Sequence, residues 1–230
     1  MVVRSSSLKN HFGKSKNLSA PRPLLSKKDE NNLTKRQLEA LNELENLIKT
    51  GVPDLTMSQI ANKLKVSLRT LYELAPSKEE LVLIAVDRLL FKIGKEAQNS
   101  IDSNDSPLTQ LKKYLNITTK ALHPTTLAFS RDFSELKGAK ELVDAHENFV
   151  IAVTQNLLKE AIKEKEIRDV DTAAFAHVLA GLGRDFNRQY ANSSFKEDPA
   201  STATAISEII FIGLEKKTHV LSLNKEQIYE

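Results

Sequence analysis

The sequence predicts an all-α protein with an N-terminal helix-turn-helix domain of three helices and a C-terminal helical domain. Apolar residues recur at helical spacing through most of the chain, and no stretch shows sustained alternation. Aromatic residues make up only 6% of the chain and tryptophan is absent, which is typical of aliphatic packing between helices. We predict a tail over residues 1–32, the helix-turn-helix domain with a linking helix over residues 33–98, and the helical domain over residues 99–230.

The N-terminal tail is strongly basic. Residues 1–28 contain seven Lys or Arg residues and no acidic residue, whereas the whole chain has a net charge of +3. Up to about Asn32 the tail is rich in Ser, Asn, Lys and Pro and has no helical periodicity, so we predict that it is disordered. It could act as an arm that binds the phosphates or the minor groove of DNA. The alternative is a solubilising leader.

The first helix is predicted from Leu33 to Thr50. Thr34 is its candidate N-cap, and Gly51 is expected to end it. One face of this helix forms an apolar stripe, made of Ala40, Leu41, Leu44, Leu47 and Ile48.

Two short helical patterns follow, with a gap between them that is too short for a loop. Residues at helical spacing give the first pattern, and they are Met57, Ile60, Ala61 and Leu64. Thr56 can cap this helix and Ser67 can cap the next one, whose inward residues would be Thr70, Leu71 and Leu74. This arrangement is typical of a helix-turn-helix, whose second helix enters the major groove of DNA.

Charge supports this interpretation. Between Thr56 and Lys78 there are four basic residues and a single acid, Glu73. The predicted outward face of the second helix carries Ser67, Leu68, Arg69, Tyr72 and Glu73. A basic, hydroxyl-bearing face suits a polyanion with readable base edges. The alternative is a small helical hairpin with a solvated face.

The stretch from Gly51 to Leu81 resembles the DNA-binding domain of the TetR family of transcriptional regulators. The matching positions are Thr56-Met57, Ile60-Ala61, Val66-Ser67, Thr70-Leu71-Tyr72 and Ser77-Lys78-Glu79-Glu80-Leu81. Three positions depart from the family pattern, because Leu55, Lys65 and Ala75 stand where threonine, glycine and phenylalanine are usual.

The resemblance also implies roles for individual residues. Thr56, Tyr72 and Lys78 match positions that contact phosphates. On the helix that begins at Ser67, the residues nearest the base edges would be Leu68, Arg69 and Thr70, with Arg69 able to pair with guanine.

Beyond the helix-turn-helix we predict a linking helix and five further helices. The linking helix runs from Ser77 to about Ala97, and the polar stretch from Asn99 to Pro107 marks the domain boundary. The later helices are predicted at Leu108–Leu122, Thr125–Lys137, Ala139 to about Lys165, Asp171 to about Asn192, and about Pro199 to Lys217. Their order and lengths resemble the TetR regulatory domain.

A ligand pocket is predicted where the helices that start at Leu108, Ala139 and Asp171 share a core. The candidate ligand-binding residues are Leu111, Leu115, Thr118, His146, Phe149, Val153, Phe175 and His177. An apolar lining with a few polar groups is usual for small-molecule pockets, so we expect a mainly apolar, weakly charged effector. The alternative is that these residues close the core.

The last two helices indicate a homodimer. Residues 200–214 contain one charged residue, Glu208, and a helix that is apolar all round needs partners on every side. Paired with their symmetry mates, these helices would form a four-helix interface. The candidate interface residues are Val178, Leu182, Ile206, Ile209, Ile210 and Gly213. The alternative is a monomer that buries both helices in its own core.

Other function classes find no support in the sequence. The chain has no cysteine, which excludes disulfides and thiolate metal sites, and its five histidines are scattered. We found no catalytic motif and predict neither an enzyme nor a cofactor or metal site. No run approaches the ~20 apolar residues of a membrane helix, and residues 1–16 lack the apolar core of a signal peptide, so we predict a cytoplasmic protein without membrane contact.

The resemblance therefore implies a ligand-responsive homodimeric transcriptional regulator, most often a repressor. It would bind a palindromic double-stranded DNA operator and be released by a small, mainly apolar effector. One alternative is a DNA-binding regulator controlled by a protein partner. Another is a helical small-molecule-binding protein that has lost DNA binding, in keeping with the altered Lys65 and Ala75.

Overall fold

The architecture is helical throughout the part of the chain that the computed structural model describes, residues 20–50, 55–121, 133–186 and 199–216. Nine helices lie in these ranges: α1 Lys27–Asn32, α2 Lys35–Thr50, α3 Met57–Lys63, α4 Leu68–Leu74, α5 Lys78–Asn99, α6 Pro107–Ala121, α7 Ala139–Lys163, α8 Thr172–Phe186 and α9 Pro199–Leu214. The extended backbone in these ranges includes one isolated antiparallel bridge, between Ile167 and Glu215. The predicted all-α fold is confirmed.

The N-terminal region differs from the prediction of a disordered tail through Asn32. Helix α1 forms after Ser26, whose side chain accepts a hydrogen bond from the Asp29 backbone N–H. Leu25 and Leu33, which flank the helix, pack against the core of the first domain. A cap and two apolar anchors therefore order residues that composition alone marked as tail. Residues 1–19 lie outside the described residues.

Helices α2, α3 and α4 form the predicted helix-turn-helix domain. The stripe on α2 is buried, with Leu41, Leu44 and Ile48 fully inaccessible to solvent. Thr56 and Gln59 form a capping box at the start of α3, and Ser67 caps α4 through the Thr70 backbone N–H. Gly51, expected to end the first predicted helix, lies outside the described residues.

Helix α5 connects two hydrophobic cores. Leu81 and Ala85, near its start, belong to the core of the helix-turn-helix domain, whereas Ala97, near its end, belongs to the core of the C-terminal domain. The first core also contains Ala139 and Leu142, at the start of α7. The beginning of α7 therefore packs with the helices of the helix-turn-helix domain.

The second core is built by α6, α7, α8 and α9. Its largest fully buried side chains include Leu111, Tyr114, Leu158 and Phe211. The Asp171 carboxylate accepts hydrogen bonds from the backbone N–H groups of Ala173 and Ala174, as expected for the cap of α8. Most of the helix predicted at residues 125–137 lies outside the described residues.

Candidate nucleic-acid interface

Helix α4 separates an inner face from an exposed outer face. Leu71 is fully buried, whereas Leu68 and Tyr72 are 40% and 52% exposed although both are apolar or aromatic. Ser67 and Thr70 share a hydrogen bond of 2.7 Å between their hydroxyl oxygens. The outer face therefore offers a hydrogen-bonded hydroxyl pair and two large, partly exposed side chains.

Arg69 extends from this face and is held by an ion pair. Its Nε donates to Oε1 of Glu73, one turn later, at 2.9 Å, and its side chain is 88% exposed. Gln37 of α2 donates to the other Glu73 oxygen at 3.2 Å. An exposed pair of this kind contributes only ~0.3–0.5 kcal/mol, so Arg69 can leave Glu73 for a stronger partner at little cost.

The turn between α3 and α4 explains how lysine occupies a position where the family usually has glycine. Lys65 adopts a left-handed conformation with φ of 54°. A guanidinium nitrogen of Arg36 donates to the Lys65 carbonyl at 2.9 Å, and the Val66 N–H donates to the Ala61 carbonyl at 3.0 Å. These bonds hold a backbone conformation that is costly for any residue with a Cβ atom. The departure at Lys65 thus leaves the motif intact.

The two other predicted phosphate contacts lie at helix starts. Thr56 is the exposed N-cap of α3, and Lys78 is the half-buried first residue of α5, directly after the N-cap Ser77. The N-terminal ends of helices favour anions. Ala75 is buried and ends α4.

Most of the predicted ligand-binding residues lie together in the second core. Leu111, Leu115 and Val153 are buried there, and Phe149 and Phe175 are partly buried against them. Thr118 is half-buried on α6, where its hydroxyl donates to the Leu115 carbonyl at 3.1 Å.

The two predicted ligand-binding histidines are not part of this cluster. His146 lies where α7 meets α5, with Nε2 2.9 Å from Oδ1 of Asp87 and its ring edge-on to Phe91. His177 is exposed on α8. Helical spacing placed both histidines on faces expected to line the pocket. Instead, His146 lies in the first turns of α7, which pack on α5, and His177 lies on the solvent side of α8.

Two buried hydroxyls that the sequence analysis missed lie within the second domain instead. Tyr114 Oη on α6 and Thr154 Oγ1 on α7 are both buried and have no hydrogen-bond partner among the residues that the structure describes. Burial raises the pKa of Tyr114, because the charged phenolate would lose its hydration. Helical spacing is the sequence signal that could have identified Tyr114, because Tyr114 lies one turn after Leu111 on α6. Leaving such a group unpaired costs about 1–3 kcal/mol.

A cavity of about 300 Å³ opens between α6 and α9. Leu115 and Phe211 form its apolar part, and Thr204 and Ser207 line one side. Both hydroxyls on that side donate to carbonyls of their own helix, at 2.8 Å each. Among the predicted ligand-binding residues, Leu115 lines this cavity.

The predicted interface residues form a partly exposed apolar surface on α8 and α9. Val178 is 51% exposed and Ile209 is 68% exposed, and Ile212, which the sequence analysis did not select, is 67% exposed. Gly213 is exposed with open space beside it. Half-buried positions complete the set, namely Leu182, Ile206 and Ile210.

Within the described ranges, no group of three or more acidic or histidine side chains is arranged to hold a metal ion. None of the described helices combines the length and apolar character needed to cross a membrane.

Comparison with known proteins supplies structural relatives. No protein-family model matches the chain, and no curated protein matches it significantly. A proposed fatty acid metabolism regulator from Clostridium perfringens is 26% identical, with a TM-score of 0.57 over 76% of this chain and 97% of that chain. A TetR transcription regulator from Haloarcula marismortui is 16% identical, with a TM-score of 0.68 over 80% of this chain and all of that chain.

A third solved structure, Escherichia coli NemR in its reduced form, is 19% identical, with a TM-score of 0.62 over 76% of this chain and 97% of that chain. The shared arrangement is the one described above, a helix-turn-helix domain joined through a linking helix to a helical domain. The chain therefore has the fold of TetR-family transcriptional regulators.

Proposed function

We propose that the protein is a homodimeric DNA-binding transcriptional regulator that reads a palindromic operator with α4 and acts as a repressor. The observation that carries this proposal is the outer face of α4, where Arg69 and Tyr72 are exposed while Leu71 anchors the helix from below. A face of this kind on the second helix of a helix-turn-helix fits the major groove.

Contacts to base edges and contacts to phosphates have separate roles in this proposal. Arg69 exchanges its weak ion pair with Glu73 for a bidentate contact with guanine, while Ser67, Leu68 and Thr70 face neighbouring bases. Thr56, Tyr72 and Lys78 bind phosphates, which fixes the position of α4 but carries no sequence information.

The test uses an operator selected from random DNA, with affinities measured by fluorescence anisotropy over a range of salt concentrations. Arg69→Ala should cost about 1–3 kcal/mol on the operator and relax the preference at one base position in each half-site. Lys78→Ala should weaken all sequences alike and lower the salt slope by about 1 for each subunit. An equal, sequence-independent loss for both variants would refute this division of roles, and absence of binding at low salt would refute the proposed function.

We further propose that the second domain binds a small, mainly apolar effector in the cluster around Leu111, Leu115, Phe149, Val153 and Phe175. The unpaired hydroxyls of Tyr114 and Thr154 supply the polar contacts, in place of His146 and His177. Effector binding would move α5, since that helix joins the two cores, and would change the distance between the two copies of α4. Because these helices must meet successive major grooves about 34 Å apart, a small shift releases the operator.

A bound effector at 100 times its Kd should stabilise the fold by about 2.7 kcal/mol. Phe149→Ala should abolish that stabilisation and the release of DNA, and operator binding should stay intact. Loss of folding or of operator binding in this variant would mean that Phe149 only closes the core.

A regulator controlled by a protein partner remains the second candidate, because Leu111, Leu115 and Val153 are also well placed to close a core that takes no ligand. Operator release by a small molecule separates the two candidates.

A further inference from the structure

Asp87 is a buried carboxylate with hydrogen-bond donors from two different parts of the chain. It lies on α5 and is 1% exposed. Its Oδ2 accepts the Leu24 backbone N–H at 2.8 Å, and its Oδ1 lies 2.9 Å from His146 Nε2. With Asp87 as the acceptor, Nε2 of His146 is the donor in the second contact. Each oxygen of Asp87 therefore has one donor.

These donors belong to elements far apart in sequence. Leu24 lies in the N-terminal segment, residues 20–33, and His146 lies on the second turn of α7. The His146 ring also meets Phe91 edge-on, with centroids 4.9 Å apart and planes at 79°. Asp87 and Phe91 are one turn apart on α5, so together they hold His146 against that helix.

The neighbouring residue ties the same N-terminal segment to α2. Arg88 donates from Nε to Glu45 Oε1 at 2.9 Å, and its Nη1 pairs with Glu30 of α1. Burial lowers the pKa of the Arg88 guanidinium, although it stays protonated with two carboxylates beside it. The N-terminal segment is thus bound to α5 at Asp87 through Leu24 and at Arg88 through Glu30.

We propose that Asp87 is a positioning residue through which the N-terminal segment and α7 jointly fix the orientation of α5, and with it the angle between the helix-turn-helix domain and the C-terminal domain. Two donors, one on each oxygen, hold the carboxylate in one orientation, so removing one donor lets the side chain turn and disturbs the geometry of the other hydrogen bond. Loss of the Leu24 hydrogen bond would therefore weaken the contact between Asp87 and His146, and loss of the His146 contact would weaken the Leu24 hydrogen bond.

A matched pair of variants isolates the first hydrogen bond. Leu24→Pro removes the backbone N–H, whereas Leu24→Ala keeps it and truncates a side chain that is 53% exposed. In urea unfolding, Leu24→Pro should raise the equilibrium constant for unfolding on the order of tenfold, and Leu24→Ala should change it little.

A double-mutant cycle then tests the link to α7. In a His146→Ala background, the effect of Leu24→Pro should fall severalfold, because the two hydrogen bonds support each other through Asp87. Any strain that proline itself introduces is present in both backgrounds, so it cancels when the two effects are compared. If the two substitutions have additive effects, the coupling through Asp87 does not exist.

Orientation is measured separately from stability. Because the chain has no cysteine, Asn62→Cys on α3 and Lys159→Cys on α7 introduce two labelling sites at exposed positions. Spin-label distances, recorded with excess unlabelled protein, should shift or broaden in Leu24→Pro and stay unchanged in Leu24→Ala. An unchanged distribution in Leu24→Pro would mean that Asp87 only stabilises the fold. These distances do not involve DNA, so they decide the inference even if the protein binds no operator.

Discussion

Ile209→Glu is the sharpest test of the dimer. Ile209 lies on α9 and is 68% exposed, although it is a large apolar residue. Its neighbour Ile210 is a poorer site for the same substitution, because it is half-buried and packs against the second core of its own chain. A charge at Ile210 would damage the monomer, whereas a charge at Ile209 should act only on association.

The magnitude follows from the exposed area of the side chain. Fully burying an isoleucine is worth about 1.5–3 kcal/mol, so burying the exposed two-thirds contributes about 1–2 kcal/mol for each copy. A two-fold interface contains the residue twice, which gives about 2–4 kcal/mol, or about 30- to 700-fold in Kd. Desolvation of the introduced carboxylates adds to this loss.

Sedimentation equilibrium over a series of protein concentrations measures the effect. Leu68→Glu is the matched control, because Leu68 is also an exposed apolar residue but lies on α4. It should leave the dimer Kd unchanged and abolish operator binding. A wild-type protein that stays monomeric at micromolar concentration, or an Ile209→Glu variant with an unchanged Kd, would refute both the interface and the palindromic operator.

Four further predictions concern two buried side chains, the turn between α3 and α4, and the N-terminal tail. Tyr114→Phe removes an unpaired buried hydroxyl, so it should raise the free energy of unfolding, measured by urea denaturation without effector, by about 1 kcal/mol. A decrease in that free energy would mean that the hydroxyl has a hydrogen-bond partner. Glu45→Gln should lower that free energy by about 1.5–3 kcal/mol, because buried Arg88 loses one of its two carboxylate partners and keeps Glu30. Lys65→Gly should raise it by about 0.5–1 kcal/mol through relief of the left-handed backbone, and should weaken operator binding. Deleting residues 1–19 should leave stability unchanged and lower the salt slope of DNA binding by about 0.9 for each basic residue that contacts phosphate, while an unchanged slope would identify a leader.

The deletion ends at residue 19 because a longer one would remove contacts with the first domain. Removing residues 1–28 would also remove Leu24 and Leu25, which contact the first domain. A loss of DNA binding in that variant would then mix the effect of charge with the effect of an altered α5.

The sequence by itself determined the helices and the exposed outer face of α4. Caps act over three residues, as at Thr56, Ser67 and Ser77, and apolar periodicity acts over one or two turns. Both signals are local, so they can be read without knowing how the chain folds back on itself. The inner and outer faces of α4 follow from the same periodicity.

Only the tertiary structure decided which polar groups meet. His146 lies on an apolar stripe that suggested a ligand pocket, but its partner Asp87 is 59 residues away on another helix. The hydrogen bond between Leu24 and Asp87 spans 63 residues, and it turned a basic tail into part of the first domain. Tyr114 and Thr154 reveal themselves only by lacking a partner, which is a property of everything around them. Spacing along a helix fixes the direction of a side chain, but the neighbour it meets depends on how the helices pack together.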